Sequence, residues 1–126
     1  MCWISPFHVE SPGLPAPRAE QEQLELPDLP TDVFVANDSL AIGCHKAVNE
    51  KGLAIPEDIS VVGYNDIPAA KYLVPPLTTV HLHMDFMGEQ AVSMLAERII
   101  TDREIAIQTL ITAKWVIRES VRKLNG

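Results

Sequence analysis

Two short apolar runs constrain this chain more than any other feature. Val33-Phe34-Val35-Ala36 runs into Asn37-Asp38, and Ile59-Ser60-Val61-Val62-Gly63-Tyr64 runs into Asn65-Asp66. The first, spanning 33–37, is apolar without alternation, which predicts a strand covered on both faces. The second is rich in β-branched residues and follows a turn at Ile55-Pro56-Glu57-Asp58. Between them Leu40, Ala41, Cys44, Ala47 and Val48 recur at spacings of three and four, the stripe of a helix, and Gly52 is placed to end it. Strand, helix and strand of these lengths form a βαβ unit, whose right-handed crossover puts both strands in one parallel sheet. The fold class is therefore α/β, a parallel sheet with flanking helices.

Parallel strands end at the same edge. There, strand carboxyl ends and helix amino ends make the crevice in which α/β proteins hold small ligands. Asn37, Asp38, Asn65 and Asp66 gather at that edge and are the candidate ligand-binding residues. An amide both donates and accepts, whereas a carboxylate only accepts, so the set suits a hydroxyl-rich ligand better than an anion. The competing reading makes one of Asn37, Asp38 or Ser39 a plain helix N-cap. Two polar pairs at one edge would then need two capping coincidences, which favours the ligand reading.

Composition bounds the rest. At 126 residues the chain is one domain at most. Six prolines (Pro6, Pro12, Pro15, Pro17, Pro27, Pro30) and one Arg against five acids mark residues 1–30 as mostly irregular. Residues 18–26 carry helix formers that could end a helix at Pro27. Beyond the second strand, residues 67–73 make at most a short helix. Leu77-Thr78-Thr79-Val80-His81-Leu82-His83 alternates like an exposed-edge or crossing strand. From Asp85, a plausible N-cap, a helix follows with Met84, Met87, Ala91, Met94, Leu95 and Ile99 on one face and Glu97, Arg98, Asp102 and Arg103 on the other. Residues 105–117 are β-rich, and 119–126 read as a polar tail.

Several function classes recede. A net charge of −7 with scattered lysines and arginines argues against these residues gripping nucleic acid. No run approaches the roughly 20 apolar residues of a membrane span, and the start has no signal-peptide pattern. Cys2 and Cys44 give no disulfide framework, which fits a reducing cytoplasm. Ser39 and Cys44 lack a nucleophile elbow and a base. Asp38 and Asp66 form a carboxylate pair that acid–base chemistry could use, although caps and turns explain them equally well. His81, His83 and Asp85 share a strand face, but three ligands on one strand rarely converge on an ion, so no metal is expected. No phosphate loop and no cofactor motif is present.

Val33-Phe34-Val35-Ala36-Asn37-Asp38-Ser39-Leu40-Ala41-Ile42-Gly43, the stretch from Gly52 to Asp66, and Pro75-Pro76-Leu77-Thr78-Thr79-Val80 resemble, in order and spacing, the lactose/galactose repressor family of bacterial transcription regulators. Met87-Gly88 and Arg118-Glu119-Ser120 match as well, so the resemblance covers about residues 31–120. It implies a partial periplasmic-binding-protein-like fold: the last third of a regulator whose two α/β lobes hold a sugar between them. Residues 1–30 then precede the effector segment 31–120, and 121–126 form a tail.

By the same resemblance Asn37 bonds sugar hydroxyls. Asn65 stands where the family commonly has a ligand-binding Asp, and Leu82 and Met84 lie near further contact positions. The ligand implied is a small sugar, with a galactoside as the suggested member. The parent protein would be a cytoplasmic, non-enzymatic homodimer that meets operator DNA only through a helix-turn-helix not found in this chain. Its lobes would close on the ligand to switch DNA affinity. The helix from Asp85 belongs to the other lobe in this family, which leaves Met87, Met94, Leu95 and Ile99 exposed here. Two alternatives stand beside this reading: a free-standing sugar-binding module related to periplasmic receptors, and a small hydrolase using Asp38 and Asp66.

Overall fold

The first apolar run becomes β1, Asp32–Phe34, in a computed structural model that describes residues 29–123. The irregular stretch expected over 1–30 and the helical tail over 18–26 lie almost wholly outside the described residues. The helical stripe becomes α1, Asp38–Glu50, with Asn37 as N-cap and Lys51 as C-cap. Gly52 follows in the left-handed region at φ +72°, as its position past the cap requires. β2 is Ser60–Asn65, and a short 3-10 helix covers Pro68–Tyr72. β3 is Thr78–His81, α2 is Met84–Thr101 and β4 is Lys114–Val116.

The sheet order is β1-β2-β3-β4. β1, β2 and β3 run parallel, with Val33 opposite Val61 and Asn65 opposite His81. β4 returns antiparallel beside β3, with Val80 opposite Trp115. Val35, Ala41, Cys44, Val48, Ile59, Val61 and Leu77 form the core between α1 and the sheet. Complete burial of Ile59, Val48, Val61 and Leu77 contributes about 1.5–3 kcal/mol each.

Four local expectations change. β1 is not covered on both faces: Phe34 is 46% exposed, its ring T-shaped to the Tyr64 ring at 6.3 Å between centroids. β3 is not an exposed edge, because it lies between β2 and β4 and buries Thr78, Thr79 and Val80. Its polar alternation misleads because the Thr hydroxyls bond inside the protein, Thr79 donating to Asp38 and Thr78 accepting from the Arg118 amide. The second long helix is capped at His83, with no side-chain hydrogen bond, so Asp85 falls in its first turn. Of the β-rich stretch 105–117 only Lys114–Val116 is strand.

The polar tail is also partly inside. Ser120 is fully buried, its hydroxyl donating to the Val61 carbonyl at 2.5 Å and accepting from the Thr78 amide at 2.7 Å. It bridges β2 and β3 from the segment that follows β4. No residue of α2 is buried; Met87, Leu95 and Ile99 stand exposed as the resemblance implies, whereas Met94 is half-buried.

Candidate functional site

The carboxyl ends of β1, β2 and β3 bring three of the four candidate residues to one edge and place the fourth beneath it. Asn37 leaves β1 in extended backbone and accepts the Leu40 amide on Oδ1 at 2.9 Å. It is thus the N-cap of α1, one of the two roles read for it, and it is half-buried. Its Oδ1 is engaged by the helix, which leaves the amide nitrogen as its donor toward the edge.

Asp38 lies under the edge. Its side chain is fully buried, Oδ2 accepting from the Ile67 amide at 2.8 Å and Oδ1 from the Thr79 hydroxyl at 2.6 Å. It therefore ties the start of α1 to the loop after β2 and to β3. The first turn of a helix suits a carboxylate, since the unpaired amides there carry positive partial charge. Gly63 makes the approach feasible. A Cβ at position 63 would lie 2.1 Å from Asp38 Oδ1 and 2.8 Å from Leu77 Cδ2.

Asn65 and Asp66 close β2 with positive φ, +110° and +58°, a region that costs a side-chain-bearing residue about 1–3 kcal/mol. The turn aims Asp66 at two partners. Arg118 donates from its NH2 nitrogen to Asp66 Oδ1 at 2.6 Å, and His81 Nδ1 lies 3.0 Å from Oδ2. The same guanidinium donates to the Leu77 carbonyl at 2.7 Å, which pins it between two elements. Burial pushes the Asp66 carboxyl up, but the bonds and charge of Arg118, with a contribution from His81, outweigh it and hold the group below its ordinary range.

His45 of α1 is buried with neither ring nitrogen in a well-formed hydrogen bond. Burial pushes its imidazole down, and the Val74 backbone offsets only part of this. The signs for stability follow from linkage. The unfolded chain protonates His45 near pH 6.5 while the folded one resists, so stability declines as the pH falls from about 6.5 toward the lower folded value. Asp66 contributes stability above about pH 4 that is lost as the pH falls through its depressed folded value. Urea midpoints measured against pH should therefore show two acid-side declines. His45→Leu should remove the upper one and Asp66→Asn the lower.

Sequence reading missed Arg118, Thr79 and Gly63 as parts of this edge. Arg118 had one signal, its place in the Arg118-Glu119-Ser120 match. Among the described residues no group of three or more His, Cys, Asp and Glu is arranged to hold a metal ion. No described helix is long and apolar enough to cross a membrane.

Residues 6–121 match the periplasmic binding protein-like domain family. Over 101 residues the chain is 44% identical to the HTH-type transcriptional repressor PurR of Haemophilus influenzae strain PittEE, covering 77% of this chain and 30% of that protein. The chain thus spans about 30% of the length of this curated relative. A crystal structure of a LacI family transcriptional regulator from Enterococcus faecium with bound ribose superposes with a TM-score of 0.75 at 29% identity, over 87% of this chain and 40% of that one. A complex of the transcriptional regulator CelR with cellobiose gives a TM-score of 0.78 at 29% identity, over 83% of this chain and 32% of the other. The chain belongs to the periplasmic binding protein-like domain family, and its relatives there are LacI-family transcription regulators.

Proposed function

We propose that this chain is the carboxyl-terminal part of a repressor's effector-binding domain and that the edge formed by Asn37, Asn65 and Asp66 takes a small sugar. The observation that carries the reading is the convergence of these three residues on the carboxyl ends of parallel strands, with Asp38 holding the edge from beneath. Relatives whose structures carry ribose and cellobiose support the sugar class. The segments of this reading are a lead over 1–30, the effector part over 31–120 and a tail over 121–126.

The protein acts by binding, not by catalysis. Asp38 is buried and Asp66 is engaged by Arg118 and His81, so the two do not form a carboxylate pair open to a substrate. The parent protein is a cytoplasmic homodimer that contacts operator DNA through a separate helix-turn-helix, and ligand-dependent closure of its lobes sets its DNA affinity. The name of its Haemophilus relative, an HTH-type repressor, supports this arrangement.

A thermal-shift panel of ribose, galactose, lactose and cellobiose tests the ligand class. A sugar at a hundredfold excess over its Kd stabilises the folded state by about 2.7 kcal/mol, a rise of several degrees in Tm. Stabilisation by at least one sugar is expected. A response to none of them, or only to compounds without hydroxyls, contradicts the reading.

A further inference from the structure

We propose that His81 is a ligand-contacting residue of this edge, its Nε2 accepting a hydrogen bond from a sugar hydroxyl; the proposal rests on the effector-binding reading above. His81 ends β3 directly opposite Asn65 in the sheet register, so the two share one level of the edge. A carboxylate can only accept, so the 3.0 Å contact with Asp66 places a proton on His81 Nδ1. In the neutral ring Nε2 is then the acceptor, and it is the nitrogen left for an outside partner.

The ring is held in place. Asp66 is fixed by Arg118 at 2.6 Å, and the His83 ring stands edge-on to His81 at 5.0 Å between centroids. The His81 side chain is 37% exposed against 17% for Asp66, so the imidazole is more open to solvent than the carboxylate that orients it. The positive φ values of Asn65 and Asp66 acquire a purpose, since this strained turn sets the carboxylate against the imidazole. A sugar hydroxyl can meet both kinds of group here, a donor in the Asn37 amide nitrogen and an acceptor in His81 Nε2, so the edge suits a neutral polyol; Lys114 stands opposite His81 in the register.

Two substitutions separate the nitrogens. The amide of His81→Asn reproduces the Nδ1 donor to Asp66 but ends short of Nε2. His81→Gln reaches the outer position and offers an acceptor there. The chain is titrated with D-ribose and with cellobiose, while histidine ring nitrogens are followed by NMR.

The free chain is expected to show His81 protonated on Nδ1, and sugar should shift its Nε2 signal. His81→Asn should keep the wild-type melting temperature and bind about fivefold to tenfold more weakly, the effect of one lost hydrogen bond. His81→Gln should stay within about threefold of wild type. Sugar binding with an unmoved Nε2 and undiminished affinity in His81→Asn overturns the proposal and leaves the effector reading standing. Failure of both sugars to bind the wild-type chain removes that reading and the proposal with it.

Discussion

Replacing Asp38 with alanine should destabilise the chain by about 3–6 kcal/mol, because hydrogen bonds to a charged group contribute roughly 1.5–3 kcal/mol each and two are lost. The Ile67 amide and the Thr79 hydroxyl, from which Asp38 accepts at 2.8 and 2.6 Å, would lose their partner, the first part-buried and the second fully buried. A domain of this size has about 5–15 kcal/mol in hand, so the urea midpoint should fall by a large fraction. Asn at 38 is the informative control. Its oxygen can still accept from Ile67 and its nitrogen can donate to Thr79, whose hydroxyl rotates to accept. Asp38→Asn should therefore cost about 1 kcal/mol, and an equal loss in the two variants would show that the hydrogen bonds are not what Asp38 provides.

Gly63→Ala is the second large effect, expected at about 2–3 kcal/mol or more, the range for atoms forced into a filled core. The added methyl would sit 2.1 Å from Asp38 Oδ1, so the carboxylate must give up its place or β2 must move. Because the clash and the carboxylate occupy the same space, the pair Asp38→Ala with Gly63→Ala should cost less than the sum of the single changes. Additive losses in urea melts would mean that position 63 acts through something other than Asp38.

These two residues also show where local pattern stops informing. The βαβ unit was legible because burial of a strand and of one helix face leaves a periodic trace, and Gly52 was legible because its turn needs a left-handed residue. The role of Asp38 leaves no such trace. Its partners are 29 and 41 positions away, and the nearby sequence reads the same whether the carboxylate faces a ligand or the core.

Arg118 and Ser120 are harder still. Ser120 reads as part of a polar tail and Arg118 as the residue just before it, yet Arg118 clamps Asp66 from 52 positions away and Ser120 bridges Val61 and Thr78 in full burial. β3 misled for a related reason, since the Thr78-Thr79 pair looks wet until its hydroxyls find internal partners. Of the two readings of Asn37, the structure shows the N-cap, and the ligand contact is the one proposed above. It caps α1 with its oxygen, and its nitrogen remains at the edge.

The convergence of Asn37, Asn65 and Asp66 into a sugar-binding edge is the central claim, and backbone amide NMR during titration with D-ribose and cellobiose tests it most directly. Binding at this edge predicts saturable shifts at residues 37–40, 65–67 and 81–83 with at least one of the sugars, and little change along α2. Shifts confined to α2, or none with either sugar, would contradict it.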